Sequence, residues 1–162
     1  MADHGKMYFG LGHDIIDGMR KISSKADYVL PNITEACFLT GTQYQEEQTD
    51  KFIKEDLLKG LKNLGAKNVI LTGFEKDGKI GAIAYDGKSY VYNLKERQPQ
   101  SYHGTGDIFS SIIIANIMQK QSMDKVLDDA TDFVVDAIKN TVSDKSHNYG
   151  VKYEEVLYKR RW

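Results

Sequence analysis

The chain has 162 residues, 41% of them hydrophobic and 28% charged, with a formal net charge of −1. That is the composition of one ordinary domain, or a large piece of a bigger one, and it lacks the basic excess that marks a nucleic-acid partner. No apolar run approaches the roughly 20 residues of a membrane-spanning helix, residues 1–6 lack the apolar stretch of a signal peptide, and the single cysteine, Cys37, excludes an internal disulfide.

The elements alternate between helix and strand. The opening Asp3-His4-Gly5 runs straight into an aromatic-glycine loop and does not look like the beginning of a fold. From about 13 to 24, Ile15, Ile16, Met19 and Ile22 recur at helical spacing and predict a core face. Tyr28-Val29-Leu30 reads as a short buried strand ending at Pro31. Asn32 can cap a helix from Ile33, with Glu35 at capping-box spacing, and Gly41 ends that helix. After a polar loop, 42–48, Thr49 or Asp50 caps a helix with Ile53, Leu57, Leu61 and Leu64 as its core face, closed by Gly65. Residues 68–72 form a second buried strand that ends at Gly73. Two short strands, 80–85 and 89–94, then flank Asp86-Gly87, a hairpin signal. Their alternating tyrosines, Tyr85, Tyr90 and Tyr92, read as packing residues. Beyond a loop from 95 to 103, the stretch 108–115 is apolar on nearly every side and predicts a buried helix. A last long helix, about 123–142, carries Leu127, Ala130, Val134, Ala137 and Ile138 on one face, and 159–162 reads as a solvated end. This order predicts a layered α/β fold, in which ligands gather at the carboxyl ends of the strands. Cys37 reads as a small buried hydrophobe, and a lone cysteine fits a reducing, cytoplasmic setting.

The strongest local signal is His103-Gly104-Thr105-Gly106-Asp107 immediately before the apolar helix. Glycines let the backbone turn sharply and approach a ligand closely, and free amides at a helix start form an anion site. The Asp107 carboxylate can cap the helix, or it can take a proton from a hydroxyl that attacks a bound phosphate. Asn32 and Glu35 taken alone are an ordinary helix start. His103 could orient a phosphate or be a loop histidine satisfied by backbone. His4 and His13 have no partner at metal-ligand spacing, so no zinc site is read.

Gly104-Thr105-Gly106-Asp107 resembles the signature of ribokinase-superfamily kinases, and three further blocks extend the resemblance. Residues 1–8 are similar to the family's Asp-Pro-Val-Met-x-Asp-x-Gly segment. Residues 26–36 are similar to its strand leading into Asn-x-x-Glu, with Leu39-Thr40-Gly41 following, and Val69-Ile70-Leu71-Thr72-Gly73 to the strand that reaches the nucleotide phosphates. Within the superfamily the first two blocks look most like bacterial pyridoxal (pyridoxine, pyridoxamine) kinases. The resemblance implies a layered ribokinase-like α/β sheet with flanking helices and a β-hairpin. It implies ATP as co-substrate, Mg²⁺ as cofactor and a B6 vitamer as substrate. Asp107 would be the catalytic base, and Gly104, Thr105 and Gly106 the anion hole. Asn32 and Glu35 would organise the magnesium and triphosphate, Asp3 would face the same metal, and Thr72 and Gly73 would contact phosphate. Hydroxymethylpyrimidine kinases and sugar kinases share these motifs, and a non-catalytic nucleotide-binding remnant is the reading from another class.

Family members are longer than this chain, and the part without a counterpart here is N-terminal, including the residues that hold the pyridoxal ring. The expectation is therefore a single partial domain over 1–162, the C-terminal nucleotide-binding and catalytic part, with little turnover by itself. Strands missing from one side of a parallel sheet leave an edge and apolar helix faces open. A homodimer, or reduced stability, is expected to result.

Overall fold

A computed structural model describes residues 1–142, 144 and 149–159 of the protein. The chain divides into two units, Met1–Tyr92 and Asn93–Trp162. The expected solvated end beyond Lys159 lies outside the described residues. Among those residues no helix is long and apolar enough to cross a membrane.

The first unit opens on a small antiparallel hairpin, β1 (Ala2–Asp3) and β2 (Lys6–Met7). α1 (His13–Ser23) follows, but its buried stripe is not the expected one. Ile16 and Ser23 are buried, while Ile22 is 63% exposed. Arg20 explains the rotation. Its Nε donates to Leu39 O at 2.8 Å and its Nη2 to Phe38 O at 2.9 Å, so the guanidinium covers carbonyls near the C-terminus of the next helix. That places the 16–20–23 line of α1 against α2 (Ile33–Thr40), the neighbour of α1 in this unit.

A π-helical segment, Lys51–Leu58, continues into α3 (Lys59–Asn63). Thr49 is the cap, its hydroxyl accepting from Phe52 N–H at 3.2 Å. The wider π turn brings residues five apart onto one line. Phe52 with Leu57 and Ile53 with Leu58 are accordingly all buried, together with Leu61. Leu64, expected on the core face, is only half-buried at the end of α3.

The sheet order is β3 (Tyr28–Val29), β4 (Asn68–Lys76), β5 (Lys79–Tyr85), β6 (Tyr90–Glu96). β3 and β4 are parallel, β4 and β5 antiparallel, so a ribbon continues a parallel pair as the sequence predicts. β4, however, does not end at Gly73. It runs on to Lys76 and returns through a second hairpin at Asp77-Gly78. Val69, Ile70, Leu71 and Phe74 are buried from β4, and Ala82, Ile83 and Ala84 from β5. At Asp86-Gly87 the connection is longer than a two-residue turn. Asp86 Oδ1 accepts from the N–H groups of Lys88 and Ser89 at 2.7 and 2.8 Å and closes the loop itself. Tyr85 and Tyr90 stack at 4.4 Å between centroids, and Lys54 Nζ lies 5.5 Å from the Tyr90 ring and 5.8 Å from that of Tyr92. These tyrosines are packing residues.

The second unit takes in the last part of β6 with α4 (Thr105–Met118), α5 (Met123–Val142) and α6 (Glu154–Lys159). α4 packs on α5. Phe109, Ile112 and Ile113 of α4 and Val126, Leu127, Ala130, Phe133 and Ala137 of α5 are buried. α4 is buried on one face only: Ile114 is 47% and Met118 77% exposed, against the expectation of burial all round. Its one buried amide, Asn116, donates to Ile112 O at 3.1 Å. The segment from Tyr149 is tied back to α5, where Thr141 Oγ1 accepts from Lys152 N–H and Asn140 Nδ2 donates to Lys152 O.

Candidate functional site

In the first unit the residues singled out by sequence meet where β3 and β4 separate. The parallel pairing closes with a bridge between Asn32 and Thr72. Thr72 N–H donates to Pro31 O at 2.9 Å, and its hydroxyl reaches the same carbonyl at 3.3 Å. The next residue, Gly73, is the extra residue of a β-bulge, since Thr72 pairs with Ala82 and Phe74 with Gly81. It sits at φ +74°, a conformation that favours glycine, and a Cβ built on it meets nothing within 4 Å. Open space therefore lies beside the backbone at the point where phosphate contact is expected.

Asn32 and Glu35 form the capping box that their spacing predicts. Asn32 Oδ1 accepts from Glu35 N–H at 2.8 Å, and Glu35 Oε2 accepts from Asn32 N–H at 3.0 Å. Both also hold the N-terminal hairpin. Asn32 Nδ2 donates to Ala2 O at 2.8 Å, the Met1 amino group lies 2.6 Å from Glu35 Oε1, and Gly5 N–H donates to Thr34 Oγ1 at 3.0 Å. Thr34 is a buried anchor that the sequence did not advertise. Asp3 makes its contact within its own turn, accepting from His4 N–H at 2.9 Å. Among the described residues no three His, Cys, Asp or Glu side chains converge as a metal cage. This donor set suits Mg²⁺ only in the manner usual for that ion, with phosphate oxygens and water completing an octahedron around one or two carboxylates.

The polar loop after α2 adds two residues that no motif announced. Tyr44 lies against the β1–β2 turn, where a Cβ on Gly5 would stand 2.9 Å from its ring. Burial, reinforced by the Glu46 and Asp3 carboxylates, pushes its phenol above the ordinary tyrosine range. Gln48 grips the bulge. Its Nε2 donates to Gly73 O at 3.4 Å and its Oε1 accepts from Glu75 N–H at 2.7 Å. Elsewhere in this unit an open cavity of about 490 Å³, lined among others by His13, Arg20 and Cys37, contains none of the predicted site residues. Burial pushes the Cys37 thiol up to about 11, as for a small buried hydrophobe.

In the second unit Gly104 is the N-cap of α4 at φ +84°, and no side chain caps the helix. The first amides of a helix have no partner inside it, so those of Thr105, Gly106 and Asp107 depend on something else, and the helix dipole favours an anion there. Thr105 Oγ1 is turned to Tyr102 O at 3.2 Å. Cβ atoms built on Gly104 and Gly106 meet nothing within 4 Å. Gly106 therefore has no neighbour in the described protein that demands a glycine, although glycine costs a helix about 1 kcal/mol relative to alanine. Asp107 is exposed in the first turn. Its carboxylate accepts no hydrogen bond from the described residues, unlike that of Glu35.

The phosphomethylpyrimidine kinase family model matches residues 10–152. A hydroxymethylpyrimidine/phosphomethylpyrimidine kinase of Aquifex aeolicus is 32% identical over 117 residues, covering 71% of this chain and 44% of its own length. A crystal structure from Bacteroides thetaiotaomicron, provisionally described as a phosphomethylpyrimidine kinase, superimposes with a TM-score of 0.92 at 33% identity, over 98% of this chain and 56% of that one. An orthorhombic form from the same organism, at a TM-score of 0.84 and 30% identity, was solved with pyridoxal. The pyridoxal kinase of Lactobacillus plantarum gives a TM-score of 0.87 at 27% identity, over 98% of this chain and 58% of that one. That of Staphylococcus aureus in complex with AMP-PCP gives 0.72 at 26%, over 86% and 50%. The chain thus spans about half the length of the relatives it matches, and its layered α/β sheet with hairpin and flanking helices is the one these kinases share. With nearly all of its length matched by one family model, the chain belongs to the phosphomethylpyrimidine kinase family.

Proposed function

We propose that this chain carries the nucleotide-binding and catalytic part of an ATP-dependent kinase that phosphorylates a hydroxymethyl group on a nitrogen heteroaromatic ring, with pyridoxal or a related B6 vitamer as substrate. The observation that carries the reading is the start of α4: an uncapped helix, two glycines with open space where a side chain would be, and an exposed carboxylate in the first turn. Asp107 takes the proton of the substrate hydroxymethyl group. The freed oxygen attacks the γ-phosphorus, the bond from that phosphorus to the β–γ bridging oxygen breaks, and ADP leaves. The amides at 104–106 stabilise the charge on the transferred group. Bound Mg²⁺ would neutralise charge on the triphosphate. Asn32, Glu35 and Asp3 are the residues proposed to organise it, with Thr72 and Gly73 against phosphate.

The vitamer assignment draws its support from the pyridoxal kinase neighbours and from the related structure with pyridoxal. The family match and the Aquifex relative favour a second substrate of the same chemistry, hydroxymethylpyrimidine. Incubating the chain with MgATP and each compound, and following ADP and the phosphorylated product, separates them. Faster turnover with pyridoxal supports the first reading, and faster turnover with hydroxymethylpyrimidine replaces it with the second. Nucleotide binding without turnover by either would leave a binding fragment.

The anion hole has its own test. Gly106→Ala is expected to keep or slightly raise the thermal midpoint, because alanine is the better helix former. It is expected to weaken nucleotide binding in calorimetry, because the methyl group occupies space the phosphate needs. Unchanged affinity would remove Gly106 from the site.

A further inference from the structure

We propose that Gln48 is a positioning residue for nucleotide phosphate, acting through the bulge at Gly73; this rests on the kinase reading above. A β-bulge leaves one residue unpaired and disrupts the ladder locally. Here one side chain spans the irregularity. The Gln48 carboxamide donates to Gly73 O at 3.4 Å and accepts from Glu75 N–H at 2.7 Å, the pair of bonds a neighbouring strand would have made. The residue between them, Phe74, is 1% exposed and locked in the core. The backbone from 73 to 75 is thus held from two sides, by the core below and by Gln48 at the edge. The remaining side of Gly73 is open, with nothing within 4 Å of its Cβ position.

The loop that carries Gln48 is itself anchored, through Tyr44 lying against Gly5 of the N-terminal turn. That turn is tied to the start of α2 by Thr34 and Asn32. The loop therefore joins the two backbone features proposed to face phosphate in this unit, the bulge and the α2 cap. A carboxamide suits the task because it supplies one donor and one acceptor on a single planar group. A carboxylate or a hydrocarbon of the same length cannot supply both.

The test uses the 162-residue chain and MgADP as the probe, with affinity read by calorimetry. Gln48→Ala removes the side chain; Gln48→Met keeps its length and packing and removes both hydrogen bonds. Each is expected to weaken MgADP by about tenfold, because a backbone at 73–75 that is no longer held in advance must be ordered on binding. The thermal midpoint is expected to fall by a few degrees, as for two lost intramolecular hydrogen bonds, and the Glu75 amide to exchange faster with solvent. Gln45→Ala, at an exposed position of the same loop, should bind as the parent does. If Gln48→Met binds like the parent, the side chain only fills space and the proposal is overturned. If both variants bind like a parent that itself binds MgADP, this proposal alone fails. If the parent binds no MgADP, the nucleotide reading fails and the phosphate role of Gln48 goes with it.

Discussion

In any active form of the enzyme that contains this chain, Asp107→Asn is expected to lower turnover by about 10²–10⁴, the range typical of losing a general base, while nucleotide affinity holds. That the loss falls on turnover and not on folding follows from what Asp107 does not do. Its carboxylate has no hydrogen-bonding duty among the described residues, and α4 begins without a side-chain cap. Asparagine therefore fits the position without breaking a contact. The structural penalty is limited to one negative charge lost at a helix N-terminus, about 0.3–1 kcal/mol. A steady-state assay with the preferred substrate, paired with MgADP calorimetry, reads both quantities. Near-normal turnover would defeat the base assignment. A large loss of nucleotide affinity would move Asp107 from proton transfer to phosphate or metal binding.

Phe74→Ala is expected to destabilise the chain by about 3–5 kcal/mol, the usual cost of emptying a buried aromatic position. Phe74 is almost wholly buried, directly follows the bulge, and its ring centroid lies 6.1 Å from that of Tyr92. Its loss removes core volume and also the fixed point from which Gly73 is held. Phe74→Leu should recover much of the stability by refilling the space. Urea unfolding of the two variants measures this. A loss below about 1 kcal/mol for the alanine variant would mean the surroundings collapse into the space, contrary to the rigid packing argued for the bulge.

The contrast between Asn32 and Gly73 shows what a sequence conveys about such a site. Asn32 and Glu35 form their capping box because that interaction is local, fixed by residues three apart. Gly73 after a buried run carries the same signal whether the strand stops or bulges. What decides is the pairing partner, β5, and the polar Glu75 and Lys76 hid the continuation of β4. The π-helical turns are invisible for a related reason. Ile53, Leu57 and Leu61 share a face at either period, and only the burial of Phe52 and Leu58 distinguishes the two. α4 exposes Ile114 and Met118 because a helix apolar all round has no periodicity to say which side is covered. The Gly104–Asp107 motif stands out from its residues alone, whereas Gln48 and Thr34 act through contacts distant in sequence, 25 and 27 residues away for Gln48 and 29 for Thr34.

The double character of β4 also bears on the order in which the chain assembles. Its pairing with β5 is local, closed by the two-residue turn at Asp77-Gly78, and hairpins of this kind form in about 1–10 μs. Its parallel pairing joins Tyr28 to Asn68 across an intervening helical excursion, a loop closure whose entropy is paid before any contact rewards it. The ribbon is thus expected to form first and β3 to dock later, an order that φ-values at Ile83 and Val29 would check. Gly73, at the junction of the two, is then expected to take up its bulge conformation before the chain around Asn32 reaches it, so the corner between Asn32 and Gly73 is completed from one direction, by docking onto a surface already formed.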